Sequence, residues 1–201
     1  MKNIIISGTP GCGKTSVSKV VSKRLNAQII SLNEVASSDN FSFEFDKERE
    51  TYIVDFKILM PFIIKEINNI KELNPPYLII EGHFADVIPD DLIDIAFILR
   101  CNPDELCERL KDRNYKNNKI TENVQAEILG NCVNYFLKKN IKYPFFEIDT
   151  SNKSIESVAD TIIDIIISNK NTNNYAQKYH VGHVDWLEKL FQDNRLNDYF
   201  E

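Results

Sequence analysis

Short apolar runs alternate with stretches of helical period along most of this chain. Residues 3–7 (NIIIS) are continuous and β-branched, the pattern of a strand covered on both faces. Residues 27–31 (AQIIS), 77–81 (YLIIE), 95–100 (IAFILR) and 145–148 (FFEI) repeat it. Between the first two, Val17, Val20, Val21 and Leu25 recur at helical spacing behind a glycine-rich turn. Residues 51–73 (TYIVDFKILMPFIIKEINNIKEL) keep a helical period, and Pro61 within them predicts a kink or a boundary. Pro103 followed by Asp104 and Glu105 has the composition of a helix start. Further helices are predicted over about 121–139 and over 154–167. Residues 41–50 (FSFEFDKERE) read as irregular and acidic, with Phe41, Phe43 and Phe45 in local packing. Five strands alternating with helices predict an α/β fold: a five-stranded parallel sheet sandwiched by helices, with its ligand at the carboxyl ends of the strands.

The pattern also divides the chain. Residues 1–168 read as one domain, and 169–174 (NKNTNN) as a polar linker. In the tail that follows, Trp186, Leu187, Leu190 and Phe191 stand at helical spacing, which predicts a helix docked on the domain or on a partner. A length of 201 residues fits this plan, and the net charge of −6 argues against a surface devoted to nucleic acid while leaving room for a local basic patch. The four cysteines form no C-x-x-C pair, which points to reduced thiols in a cytoplasmic protein. Ile4–Ile6 is too short for a signal sequence, and 161–168 (TIIDIIIS) too short to span a membrane.

The turn after the first strand changes the picture from fold to chemistry. Gly8-Thr9-Pro10-Gly11-Cys12-Gly13-Lys14-Thr15 matches G-x-x-x-x-G-K-[ST] at every fixed position, with a strand before it and a helix after it. Such a loop turns backbone N–H groups onto phosphate oxygens, and the helix N-terminus adds its dipole. ATP or another nucleoside triphosphate is the expected ligand, cradled by Gly11, Cys12, Gly13 and Lys14. Lys14 would bridge the β- and γ-phosphates, Thr15 would offer its hydroxyl to Mg²⁺, and Ser16 would lie near the α-phosphate. Cys12 reads as a small residue tolerated in the turn.

A GTP switch needs D-x-x-G and N-K-x-D elements. Ile79, Glu127 and Tyr179 precede the later glycines by three, and neither Asn-Lys pair is followed by the aspartate, so both elements are absent. Glu81 ends the YLIIE run where an acid could hold Mg²⁺ or orient water. His83 reads either as a group near the γ-phosphate or as an ordinary loop histidine. Arg109, Lys111, Arg113, Lys116 and Lys119 carry five positive charges against Asp112. They suit a lid over a triphosphate, with an RNA contact or a solvated face as the other uses. His180, His183 and Asp185 read as a surface loop.

These segments together carry a resemblance. GTPGCGKTS, Glu81-Gly82-His83, FILRCNPDELCERLKDRNY at 97–115, KITENVQAEI at 119–128 and EIDTS at 147–151 resemble the adenylate kinase isoenzyme 6 family in its archaeal form. That family comprises nuclear-type adenylate kinases that also act as ribosome-assembly ATPases. The resemblance implies a nucleoside monophosphate kinase with ATPase activity, with an NMP-binding segment over about 31–54 and a short lid over about 112–122. It implies a role in maturing the small ribosomal subunit, with ribosomal protein uS-eleven as partner and contact with pre-ribosomal RNA. Arg113 matches the lid arginine that contacts ATP, and His83 matches the family's histidine. Glu81 stands where the family often has aspartate. Ser37 replaces an arginine often found early in the NMP segment, which leaves Arg49 as the one arginine between Arg24 and Arg100 and the candidate for NMP binding.

Overall fold

The structure, a computed structural model, describes residues 1–41, 43–47, 51–139, 141–168 and 172–200, with the backbone alone over 172–174. In chain order the elements are β1 (Lys2–Gly8), α1 (Lys14–Leu25), β2 (Gln28–Ser31), α2 (Leu32–Ala36), β3 (Glu44–Asp46), β4 (Thr51–Ile53), α3 (Phe56–Glu72), β5 (Tyr77–Glu81), β6 (Ile95–Arg100), α4 (Pro103–Lys111), α5 (Asn117–Ile128), α6 (Asn131–Leu137), β7 (Phe145–Asp149), α7 (Ile155–Ile167), α8 (Thr172–Lys178), α9 (Trp186–Gln192) and α10 (Asn197–Phe200). The five strands read from the sequence form one parallel sheet in the order β2-β5-β1-β6-β7.

Successive side chains of a strand point to opposite faces, so each apolar run feeds two cores. Ile4, Ile6, Ile79, Phe97 and Leu99 pack on one face with α1, α4, α5 and α7. Ile5, Leu78, Ile80, Ala96 and Ile98 pack on the other with α2, α3 and α6. The result is a three-layer sandwich. β1 sits at the centre of the sheet, and β2 and β6 lie on opposite sides of it. Loops leaving the carboxyl ends of β1, β5 and β6 therefore meet in one crevice.

Three stretches depart from the sequence reading. Residues 44–46 and 51–53 are strands, not part of an irregular segment and the start of a helix: β4 pairs antiparallel with β3, Phe45 opposite Tyr52. The alternation in FEF and the β-prone TYI favour this pairing over a helical start. α3 begins only after Asp55, whose side chain accepts from the Lys57 N–H at 2.9 Å. Pro61 lies within α3, in its second turn, and marks no boundary. The helix predicted over 121–139 is two helices, α5 and α6, because Gly130 adopts φ 63° between them. Ser154 caps α7, its hydroxyl accepting from the Ser157 N–H at 3.1 Å. Of the polar stretch 169–174, residues 169–171 lie outside the described residues and α8 begins at Thr172.

The tail docks on the domain. Trp186 and Leu190 are buried in the core that holds α1 and α7, whereas Leu187 and Phe191 are exposed. Arg195 grips Asp104 of α4 with two bonds of 3.0 and 2.9 Å. Gln125 of α5 donates to the Tyr199 carbonyl at 2.6 Å. No helix among the described residues is long and apolar enough to cross a membrane.

Candidate active site

The loop between β1 and α1 is shaped by backbone that only glycine adopts cheaply. Gly8 has φ 140°, and a Cβ on it would meet the Leu99 carbonyl oxygen at 2.3 Å. Gly11 has φ 97°, and its Cβ would strike Leu106 Cδ1 at 2.5 Å. α1 then starts at Gly13 with no side chain capping its first N–H groups and no acid in its first turn. Those donors, and the positive end of the helix, are left for an anion. Lys14 is buried, its Nζ donating to the carbonyls of Gly8 (2.7 Å) and Thr9 (3.1 Å). The Cys12 thiol is fully buried, and burial holds its pKa well above that of a free thiol. It is therefore a neutral packing group in the loop.

Glu81 stands at the carboxyl end of β5, 1% exposed. Ser31 donates to its Oε1 at 2.6 Å and Thr15 to the same oxygen at 3.2 Å. Its Oε2 is buried without a hydrogen-bond partner. A hydroxyl and a buried carboxylate oxygen with spare lone pairs are the hard donors that Mg²⁺ takes, so the residues present fit that ion. His83 follows on the loop after β5, edge-on to Phe84 at 4.8 Å, and its Nδ1 is buried without a partner. Burial, with the charges of Lys14 and Lys119 behind it, lowers the His83 pKa to about 4. The imidazole is neutral at pH 7.

Two cavities flank the loop. One, of about 320 Å³, is lined by Gly11, Gly13, Ser16, Arg109, Arg113 and Thr150, among others. The other, of about 540 Å³, starts from Thr9 and Pro10 and runs past His83 to Asn33, Tyr52, Tyr115 and Lys119. The basic run after β6 is thus divided between them. Arg113 lines the smaller cavity with Arg109, which reaches the carbonyls of Gly11 (3.4 Å) and Thr150 (3.2 Å) and Glu105 Oε1 (2.5 Å). Lys119 lines the larger cavity, its ammonium 5.3 Å from the Tyr115 ring centroid. Lys111 pairs with Glu108 on the surface. Asn114, next to Arg113, takes the left-handed conformation at φ 58°. Arg49 lies outside the described residues. Ser37 caps the end of α2, its hydroxyl on the Glu34 carbonyl at 3.2 Å.

Residues 4–130 match the protein family described as AAA domain. The chain belongs to this family. The chain is 37% identical over 188 residues to the protein of Methanocaldococcus jannaschii named "Putative adenylate kinase", covering 94% of each. A protein of the same name from Methanosarcina acetivorans is 33% identical over 193 residues, covering 92% of this chain and 97% of that protein. Among solved structures, deoxyadenosine kinase from M. mycoides with bound dATP superposes with a TM-score of 0.53 at 20% identity, covering 82% of this chain and 98% of that one. Shikimate kinase from Acinetobacter baumannii in complex with shikimate gives 0.58 at 18%, covering 85% and 96%. The parallel sheet with helices on both faces is the fold of these P-loop kinases.

For an AAA-domain chain, the sequence motifs left one part of the site unmarked. Glu127 of α5 is 1% exposed and lies against the phosphate loop, accepting from the Thr9 hydroxyl at 2.5 Å and from the Cys101 N–H at 3.0 Å. Arg100, at the end of β6, donates from Nε to Glu127 at 2.7 Å and from Nη1 to Glu147 of β7. The signal that could have found Glu127 is its place on a helical stripe: Ile120, Val124, Glu127 and Ile128 share the buried face of α5. A carboxylate on an apolar face needs buried partners, and Arg100 is the nearest cation in the preceding strand.

Proposed function

We propose that this protein is a nucleoside monophosphate kinase of the adenylate kinase type, transferring the γ-phosphate of ATP to AMP or another NMP. The observation that carries this reading is the pair of cavities meeting at one phosphate loop. Gly11, Cys12, Gly13 and Ser16 line the smaller and Thr9 and Pro10 the larger, as a donor and an acceptor bound on either side of a transferring phosphoryl group would require. The names of the archaeal relatives point the same way.

In this reading an oxygen of the NMP phosphate attacks the γ-phosphorus of ATP, and the bond to the bridging oxygen of ADP breaks. Lys14, anchored on the loop carbonyls, balances the charge that spreads over the γ-oxygens and the bridging oxygen. Arg113 adds a second positive charge from the lid side. Arg109 holds the loop to Thr150. Thr15 and Glu81 would hold Mg²⁺, which when bound neutralises phosphate charge. Arg49 is proposed to bind the NMP phosphate. Residues 31–54, with α2 and the β3-β4 hairpin, form the NMP-binding segment. Residues 112–122 form the lid, which closes with the basic side chains inward and keeps water from the transferring group. Residues 169–201 form a linker and a helical tail outside the kinase domain of 1–168.

ADP formation from MgATP, with and without AMP, tests the reading. AMP should raise turnover well above plain hydrolysis; no gain over hydrolysis sinks it.

A second reading has its own observation. Glu81 Oε2 and His83 Nδ1 are both buried beside the loop with no partner, and together they could orient a water molecule toward the γ-phosphate. We propose on this ground an ATP hydrolase activity. With the isoenzyme 6 resemblance, this supports a cytoplasmic role in small ribosomal subunit maturation, with uS-eleven as partner and a contact with pre-ribosomal RNA. Co-purification of the chain with that ribosomal protein tests the role. No complex in the presence of ATP, ADP or neither would remove it.

A further inference from the structure

We propose that Glu127 is a positioning residue for nucleotide binding, acting on the phosphate loop through Thr9. The proposal rests on the ATP-binding part of the reading above and on no property of the acceptor site.

The Thr9 backbone carbonyl holds two parts of the loop at once. It accepts from the Cys12 N–H at 3.2 Å, closing the turn, and from Lys14 Nζ at 3.1 Å. Where Thr9 sits therefore sets the curvature of the loop and the resting place of its lysine. The Thr9 side chain is pinned from the opposite direction by Glu127 Oε2 at 2.5 Å. The Cys12 thiol is 3.8 Å from the same oxygen. Glu127 is itself fixed: its Oε1 takes Arg100 Nε at 2.7 Å and the Cys101 N–H at 3.0 Å, while its backbone carbonyl takes Arg100 Nη2 at 2.9 Å. Arg100 is tied further to Glu147 and to the Val184 carbonyl at 3.1 Å. The Gly182 N–H closes this chain of contacts on Glu147 at 2.6 Å.

This carboxylate touches neither cavity, since neither is lined by Glu127. It holds what touches the ligand. A loop that presents several N–H groups to phosphate gains affinity by being fixed beforehand, because less ordering remains for the binding step. A charge-assisted hydrogen bond in a buried site is strong enough to do this. Glu127 also lies on α5, whose first residues belong to the lid segment, so lid and loop share one anchor.

The test removes the hydroxyl and leaves the buried ion pair intact. Thr9→Val keeps volume and drops the bond to Glu127, and Thr9→Ser keeps the bond. Affinity for MgATP, measured by titration calorimetry without AMP, should weaken about tenfold in Thr9→Val and stay within about threefold of wild type in Thr9→Ser. A third variant, Thr9→Ala, should match Thr9→Val and stands in for it if the valine does not fold. A role confined to stability would lower the melting temperature and leave affinity alone. Wild-type affinity in the hydroxyl-free variants, or equal weakening in Thr9→Ser, overturns the proposal. Wild-type protein that binds MgATP yet gives no AMP-dependent turnover would refute the kinase reading and leave this test standing.

Discussion

The Thr15 hydroxyl and Glu81 Oε1 stand 3.2 Å apart, joining the phosphate loop to the end of β5. Ser31 occupies the same oxygen from β2, and the second carboxylate oxygen is buried with no hydrogen-bond partner. Glu81→Gln keeps an oxygen for both hydroxyls and halves the capacity for a metal ion. Turnover should fall about 100-fold, with a higher Mg²⁺ requirement and little loss of stability. Initial rates across a Mg²⁺ titration check this, and a wild-type Mg²⁺ dependence would show that the free oxygen is not used.

His83 makes stability depend on pH. Its folded pKa of about 4 lies below the ordinary 6.5, so between these values the unfolded chain binds the extra proton. Stability is therefore complete above about pH 6.5 and falls as pH drops toward 4. At pH 5 the loss from this one group is roughly 1–2 kcal/mol. Urea unfolding of wild type and His83→Gln at pH 7 and pH 5 isolates it. The variant should lose less stability than wild type on acidification, and identical losses would contradict the burial argument.

Arg109 and Arg113 line the same cavity with different attachments. Arg109 bonds Glu105, Gly11 and Thr150, so Arg109→Ala should lower both stability, by about 1 kcal/mol, and ATP affinity. Arg113→Ala should leave the melting temperature unchanged and reduce the transfer rate about 100-fold. Thermal melts and saturating-substrate rates on the two variants separate holding the loop from acting on the phosphate.

Gly8 is the strictest position in the loop. Alanine there would place a methyl 2.3 Å from a backbone oxygen of β6 at a φ of 140°, with no flexible side chain to give way. Gly8→Ala should cost more than about 3 kcal/mol. Gly13→Ala meets only Val17 Cγ2 at 3.9 Å and should cost about 1–2 kcal/mol, the cost of its φ alone. Denaturant midpoints of the two proteins give the comparison.

The sheet was legible because its three central strands, β1, β5 and β6, are buried on both faces and each reads as one apolar run. The phosphate loop was legible because its glycines and lysine are close in sequence. The β3-β4 hairpin was not: its residues are mostly exposed, with Phe45, Tyr52 and Ile53 at 46%, 42% and 54%, so the short alternation in FEF marks no buried face and TYI runs without a break into the helical period of α3. Gly130, which divides α5 from α6, does not show in the pattern because Val124, Ile128, Cys132 and Phe136 keep a four-residue spacing straight across it. The grouping of Glu127 with Thr9 and Arg100 depends on contacts 118 and 27 residues apart, and no local pattern carries those. Lys119 shows the limit of reading charge along the chain. It belongs to the same basic run as Arg113, yet α5 carries it to the other cavity.

The contact between β7 and the C-terminal segment bears on solubility as well. β7 is the last strand of the sheet, and its outer side would otherwise present open main-chain donors and acceptors to any passing extended chain. The Glu147 N–H is instead spent on the Tyr179 carbonyl, and the Glu147 side chain on Gly182. The polypeptide thus bandages its own raw edge with residues that follow the domain. Cutting the chain ahead of Tyr179 would open that border and also strip Trp186 and Leu190 from the core, so that loss of the tail would show as self-association together with a lowered melting temperature.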